Sequence, residues 1–230
     1  MTSSEVETPE PSVSARLDPP RSLLANPIIA VLRAGHARSY DRVVETLARG
    51  GIDSFEFTLT TPGTLESFAR LRQLAPPSAQ LGVGTILTVE QAVGAADAGA
   101  DYLVTPTTDP LIIGYAVNRR IPIYPGGLTP TELHRGWVRG ATAVKLFPAS
   151  TVGPDYIAQL RGPFPDIRVV PSGGIDLDSA ADWLTAGATA VSVGGPLIGD
   201  ALREGDLGEL RKRVRRLRES VDMSVQRNVS

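Results

Sequence analysis

The sequence predicts a single-domain α/β chain closed as a (β/α)8 TIM barrel, on three observations. Four segments share one pattern: Gly51-Ile52-Asp53-Ser54-Phe55-Glu56-Phe57, Gly99-Ala100-Asp101-Tyr102-Leu103-Val104, Gly140-Ala141-Thr142-Ala143-Val144-Lys145-Leu146 and Gly187-Ala188-Thr189-Ala190-Val191-Ser192-Val193. Each is preceded by apolar residues at helical spacing, so each reads as helix, tight turn, strand. The strand candidates are mostly continuous apolar runs, as parallel strands buried on both faces should be. The chain has 230 residues, a length that suits one such domain.

The four glycines suit the position just past a helix, where a left-handed backbone is needed. Their spacing leaves room for two strand–helix units per interval. Eight strands follow: Ile28–Arg33, Ser54–Thr60, Leu81–Ile86, Tyr102–Pro106, Pro122–Pro125, Ala143–Pro148, Arg168–Ser172 and Ala190–Gly194. Thr88, Asp109, Thr129 and Asp176 stand where helix N-caps are expected. Leu207, Leu210, Val214, Leu217 and Val221 form the apolar stripe of a closing helix. The barrel and its helix are expected over residues 21–222, with a disordered tail over 1–20 and a flexible tail over 223–230. A doubly wound open sheet is the rival fold, but no Gly-x-Gly-x-x-Gly follows the first strand.

Composition removes several function classes. Formal net charge is −2, too small for a polyanion-binding field. The basic run Arg211-Lys212-Arg213-Val214-Arg215-Arg216 reads as a solvated helix face, since no aromatic residue interleaves it. No nucleic-acid partner is therefore expected. No apolar run is long enough to span a bilayer, and the N-terminus lacks the apolar stretch of a secretory signal. The chain has no cysteine, which excludes thiol catalysis and fits a cytoplasmic setting. His36 and His134 form no spaced pair, so no zinc-type metal site is expected. His134 and Trp137 read as helix-packing residues.

Of 23 basic residues only Lys145 and Lys212 are lysine. Lys145 lies inside Ala143-Val144-Lys145-Leu146-Phe147-Pro148. Burial strips hydration from an ammonium and disfavours it, and a neutral amine attacks carbonyls. Arginine stays protonated and does not do this. In a TIM barrel the chemistry sits at the C-terminal ends of the strands. Those ends carry Arg33, Glu56, Thr85, Pro106, Lys145, Phe147, Ser172-Gly173-Gly174 and Gly194-Gly195. Bland readings stand beside the functional ones. Lys145 and Glu56 suit a structural ion pair as well as a proton-transfer pair. Arg33 suits a rim charge. The glycine pairs suit tight turns as well as an anion site.

Five motifs, in this order, resemble one family: Phe55-Glu56-Phe57-Thr58-Leu59, Gly82-Val83-Gly84-Thr85-Ile86-Leu87, Pro125-Gly126-Gly127-Leu128-Thr129-Pro130-Thr131-Glu132, Val144-Lys145-Leu146-Phe147-Pro148-Ala149 and Pro171-Ser172-Gly173-Gly174-Ile175. The chain is similar over Ile28–Leu197 to the 2-keto-3-deoxy-6-phosphogluconate and 4-hydroxy-2-oxoglutarate aldolases, class I pyruvate aldolases. Val104-Thr105-Pro106 also looks like the branch acting on the galactonate-derived acid.

The resemblance implies Lys145 as the Schiff-base lysine and Glu56 as the general acid/base. It puts Arg33 and Thr85, with Ser172 nearby, at the pyruvyl carboxylate. It makes Gly173, Gly174, Gly194 and Gly195 the phosphate loops, and leaves Pro106 and Phe147 among the substrate contacts. It implies a small-molecule keto-acid substrate and a homo-oligomer, a trimer by analogy. No cofactor is expected, because a protonated imine is itself the electron sink. Two residues depart from the family pattern. Thr60 stands where Arg or Asn is common, and Pro196 where Ser is common. Two rival functions remain: a non-imine isomerase or synthase on a phosphate-binding barrel, and a keto-acid-binding homologue without turnover.

Overall fold

The computed structural model describes residues 16–203 and 205–229, with side chains described through residue 224. Strands β1 (Ile28–Leu32), β2 (Ser54–Thr58), β3 (Gln80–Gly84), β4 (Tyr102–Val104) and β5 (Ile123–Tyr124) lie side by side in chain order, all parallel. β9 (Val191–Val193) pairs with the other edge of β1. β6 (Gly126–Gly127), β7 (Val144–Leu146) and β8 (Val169–Pro171) form the remaining wall. Pro125 separates β5 from β6. Proline offers no N–H to the ladder, so one strand is assigned in two pieces. A parallel bridge from Ser172 to Ser192 joins the end of β8 to β9 and closes the ring. The fold is the expected barrel of eight strands, the fifth broken at its proline.

The strands are shorter than the apolar runs predict. Arg33, Thr60, Thr85–Ile86 and Pro106 lie past the strand ends, in the loops that leave them. The expected glycine turns hold: φ is +84° at Gly51, +89° at Gly99, +94° at Gly140 and +99° at Gly187. Only glycine enters this region without steric cost.

Helices α2 (Tyr40–Arg49), α3 (Phe68–Leu74), α4 (Val89–Asp97), α5 (Pro110–Asn118), α6 (Pro130–Val138), α7 (Asp155–Arg161) and α8 (Ala180–Thr185) alternate with the strands. Three of the predicted caps make their hydrogen bonds. Thr88 accepts from the Gln91 amide, Asp109 from the Leu111 and Ile112 amides, and Thr129 forms a capping box with Glu132. Asp176 instead caps the turn before α8, accepting from the amides of Asp178 and Ser179. Short α1 (Arg21–Ala25) precedes β1, and α9 (Gly195–Ile198) follows β9.

α10 (Leu207–Val229) closes the chain, burying Leu210, Val214, Leu217 and Val221. It runs past the expected boundary at 222, so residues 223–229 continue the helix. Ser224 is itself buried and donates to the Val221 carbonyl. At the other end, residues 1–15 of the expected tail lie outside the described residues. Residues 16–20 lie against the barrel. The Arg16 guanidinium stacks on Trp137 and donates to the carbonyls of Trp137 and Ala141, while Asp18 pairs with Arg168.

Two apolar layers result from the period of two along each strand. Residues such as Ile28, Ala30, Phe55, Phe57, Leu81, Val83, Val144, Leu146, Val191 and Val193 pack outward against the helices. The intervening residues fill the barrel. Ile29, Tyr102, Val104, Tyr124, Ala143, Val170 and Ala190 form that inner cluster, joined by Leu23 of α1. Tyr102 and Tyr124 meet edge to face with centroids 5.4 Å apart. Burial pushes both phenols up, so they stay neutral.

Candidate active site

Lys145 is the middle residue of β7, between the outward-facing Val144 and Leu146. Alternation therefore turns its side chain inward. Glu56 holds the same place in β2, between the outward-facing Phe55 and Phe57. The two side chains meet inside the barrel, Lys145 Nζ 3.5 Å from Glu56 Oε1. Lys145 is 8% exposed and Glu56 2%.

Glycine makes the room for this pair. Gly84, at the end of β3, lies opposite Thr58 of β2, and a Cβ on it would collide with the Glu56 carboxyl. Gly82 yields in the same way to the Tyr102 ring. Glycine inside a strand weakens it, so two on one face mark a place where something must come close. Here it is the catalytic carboxylate candidate and the aromatic floor beneath it.

The pair opens into a cavity of about 650 Å³. Every site residue expected from the sequence lines it: Glu56, Lys145, Arg33, Thr85, Pro106, Phe147, Ser172, Gly173, Gly174, Gly194 and Gly195. Phe147 leans over the amine, its ring centroid 5.4 Å from Nζ. Thr85 has φ of +60°, a conformation that a β-branched residue seldom adopts. Such strain gathers where a side chain must be aimed at a ligand. Gly173 and Gly174 also have positive φ, +87° and +76°, and a Cβ on either would press on Phe147 or Ser150. Gly195 differs. A Cβ there would meet nothing within 4 Å, so the protein's own packing does not require glycine.

A family model described as aldolase, KDPG and KHG aldolase, matches residues 21–213. The chain belongs to the KDPG and KHG aldolase family. It is 31% identical over 185 residues to a probable 2-dehydro-3-deoxy-6-phosphogalactonate aldolase of Rhizobium meliloti, covering 80% of this chain and 87% of that one. It is 35% identical over 154 residues to the 2-dehydro-3-deoxy-phosphogluconate aldolase of Pseudomonas aeruginosa, covering 66% and 69%. Among solved structures, a native KDPGal structure superposes with a TM-score of 0.79 at 28% identity, covering 87% of this chain and 96% of that one. The KDPG and KHG aldolases are lyases, and the likeness extends through the whole barrel.

Two polar residues of the cavity wall, Ser192 and Arg203, lie outside the set expected from the sequence. Ser192 is buried, and Ser172 Oγ donates to its hydroxyl at 3.2 Å. Its signal was present as the polar residue alternating between Val191 and Val193. Arg203 sits on the turn Ala201–Arg203 after α9. One arginine on a short turn carries no sequence pattern. Of the two departures from the aldolase pattern, Pro196 lines the cavity and Thr60 does not. The Thr60 hydroxyl instead donates to Thr58 Oγ1 at 3.1 Å.

The packing of Gly84 predicts an effect. Gly84→Ala should displace the Glu56 carboxyl from Lys145 and cut turnover by about 100-fold, the scale of an ångström-sized misplacement. The stability cost should be about 1–3 kcal/mol, as for other overpacked cores. Steady-state kinetics beside a denaturant melt separates the two; unchanged turnover would show that Glu56 position is unimportant.

Proposed function

We propose that this aldolase cleaves a 2-keto-3-deoxy-4-hydroxy sugar acid, 6-phosphorylated, to pyruvate and an aldehyde such as glyceraldehyde 3-phosphate. One observation carries the reading: a buried lysine and a buried carboxylate 3.5 Å apart at the base of a cavity with a glycine-rich rim. The names of the relatives point to the same substrate class.

Lys145 Nζ adds to the C2 ketone to give a carbinolamine. Loss of water leaves a protonated imine. The C4 hydroxyl gives its proton to Glu56, directly or through a water. The C3–C4 bond breaks, its electrons moving into the imine to give an enamine while the aldehyde leaves. Protonation of the enamine at C3 and hydrolysis release pyruvate and restore the amine. Arg33 and Thr85 hold the pyruvyl carboxylate, with Ser172 beside them, and Phe147 and Pro106 wall the carbon chain. The Gly173-Gly174 and Gly194-Gly195 loops admit the phosphate, and glycine at 195 keeps open a space that packing alone would not demand.

No cofactor takes part in this scheme. The assembly in the same proposal is a homotrimer and the compartment the cytoplasm. The first is drawn by analogy with the family, and the second is in keeping with a chain without cysteine. Among the described residues no helix is long and apolar enough to cross a membrane.

The test is pyruvate release from a panel of 2-keto-3-deoxy acids, each with and without a 6-phosphate. The proposal expects release from at least one epimer, faster with phosphate. No release from any member would reject the aldolase activity, and equal rates would reject the phosphate.

A further inference from the structure

The cavity holds four charged side chains: Arg33, Lys145 and Arg203 against Glu56. Lys145 and Glu56 answer each other. Among the described residues, neither arginine is in a salt bridge with a carboxylate. The cavity therefore presents two cations beyond its internal pair, and a monoanionic keto acid would answer only one of them.

Depth distinguishes the two ends of any ligand. Lys145 is buried in the barrel, while Arg203, on the lining of the same cavity, is exposed to solvent. A chain attached through C2 at buried Lys145 has its far end toward the exposed part of the lining, where Arg203 lies. Pro196 also lines that wall and provides neither N–H nor hydroxyl to an anion. The segment carrying Arg203 is held from behind. Leu197, Ile198, Ala201 and Leu202 are buried, and Arg213 of α10 donates to the carbonyls of Leu197 and Ile198 at 2.7 and 2.9 Å. The Arg203 amide donates to the Asp200 carbonyl at 2.7 Å. Its guanidinium thus starts from a fixed backbone.

We propose that Arg203 is a specificity-determining residue that grips the phosphate monoester at the far end of the substrate, on the wall where Pro196 supplies no donor. Guanidinium and phosphate match as a fork of two charge-assisted hydrogen bonds. The inference rests on the aldolase reading above.

The test compares wild type, Arg203→Gln and Arg203→Lys on three substrates cleaved at C3–C4: a 6-phosphorylated acid, its unphosphorylated counterpart, and 4-hydroxy-2-oxoglutarate, whose far end is a carboxylate. For Arg203→Gln, KM for the phosphorylated acid should rise by about tenfold or more, the range for losing a charged hydrogen bond. kcat, and both constants for the unphosphorylated acid, should stay near wild type. Arg203→Lys should recover part of the loss, since it restores the charge without the fork. A uniform loss on all three substrates would assign Arg203 a structural role and overturn the proposal. So would no loss on the phosphorylated acid, or a loss confined to 4-hydroxy-2-oxoglutarate. Wild type that releases pyruvate from none of them overturns the aldolase reading and this inference with it. Release that is independent of Arg203 overturns this inference alone.

Discussion

Lys145→Arg should reduce pyruvate release by at least about 10⁴-fold, as removal of a covalent nucleophile does. The substitution keeps a cation near Glu56, so the comparison isolates nucleophilicity from charge. If the pair were only a structural ion bridge, Arg would preserve most of the activity, because a guanidinium bonds a carboxylate at least as well as an ammonium does. The fold should survive, since the site already opens into a cavity that can take the larger head group. Circular dichroism checks that, and a coupled lactate dehydrogenase assay reads pyruvate. Retention of even a tenth of wild-type turnover would contradict the imine route.

The second large effect is on Glu56. Glu56→Gln should lower kcat by about 10²–10⁴-fold, the usual contribution of a positioned acid–base group. Gln keeps the shape and packing beside Gly84 but cannot accept the C4 hydroxyl proton. Pyruvate affinity, read by titration calorimetry, should change far less than kcat. Equal losses in affinity and turnover would instead make Glu56 a binding or structural group. Gly84→Ala, which disturbs the same carboxyl from outside, should move kcat in the same direction. Because the two residues touch, their double variant should lose much less than the product of the single losses.

Much of this was legible in the chain. The repeated glycine turns mark where each helix hands over to a strand, and the positive φ at Gly51, Gly99, Gly140 and Gly187 gives the reason. Lys145 was conspicuous because lysine is rare here and seldom tolerated inside an apolar run. Glu56 stands between two phenylalanines, and the barrel turns Phe55 and Phe57 outward and the carboxylate inward, toward Lys145.

Continuous apolar runs conceal the difference between the two faces of a doubly buried strand. Ser192, between the outward-facing Val191 and Val193, belongs with Glu56, Lys145 and Ser172 on the inner face. The end of β3 carries no sequence mark, since Ile86, in the loop beyond it, is as buried as the strand residues Leu81 and Val83. The left-handed backbone at Thr85 turns the chain off β3 in a way no composition rule announces. Arg203 arrives on the cavity by the course of a short turn, so only the folded chain brings it there. The closing helix passes the expected boundary at 222 because helical spacing does not stop there: Val225 and Val229 follow Val221 at steps of four, and the helix runs to Val229.

The most direct measurement is reductive trapping. The protein is incubated with pyruvate, reduced with borohydride, digested and mapped by mass spectrometry. A stable adduct on Lys145, and none on Lys212 or in Lys145→Arg, is the predicted result. Absence of an adduct at Lys145 while the enzyme still releases pyruvate would contradict the mechanism at its central step.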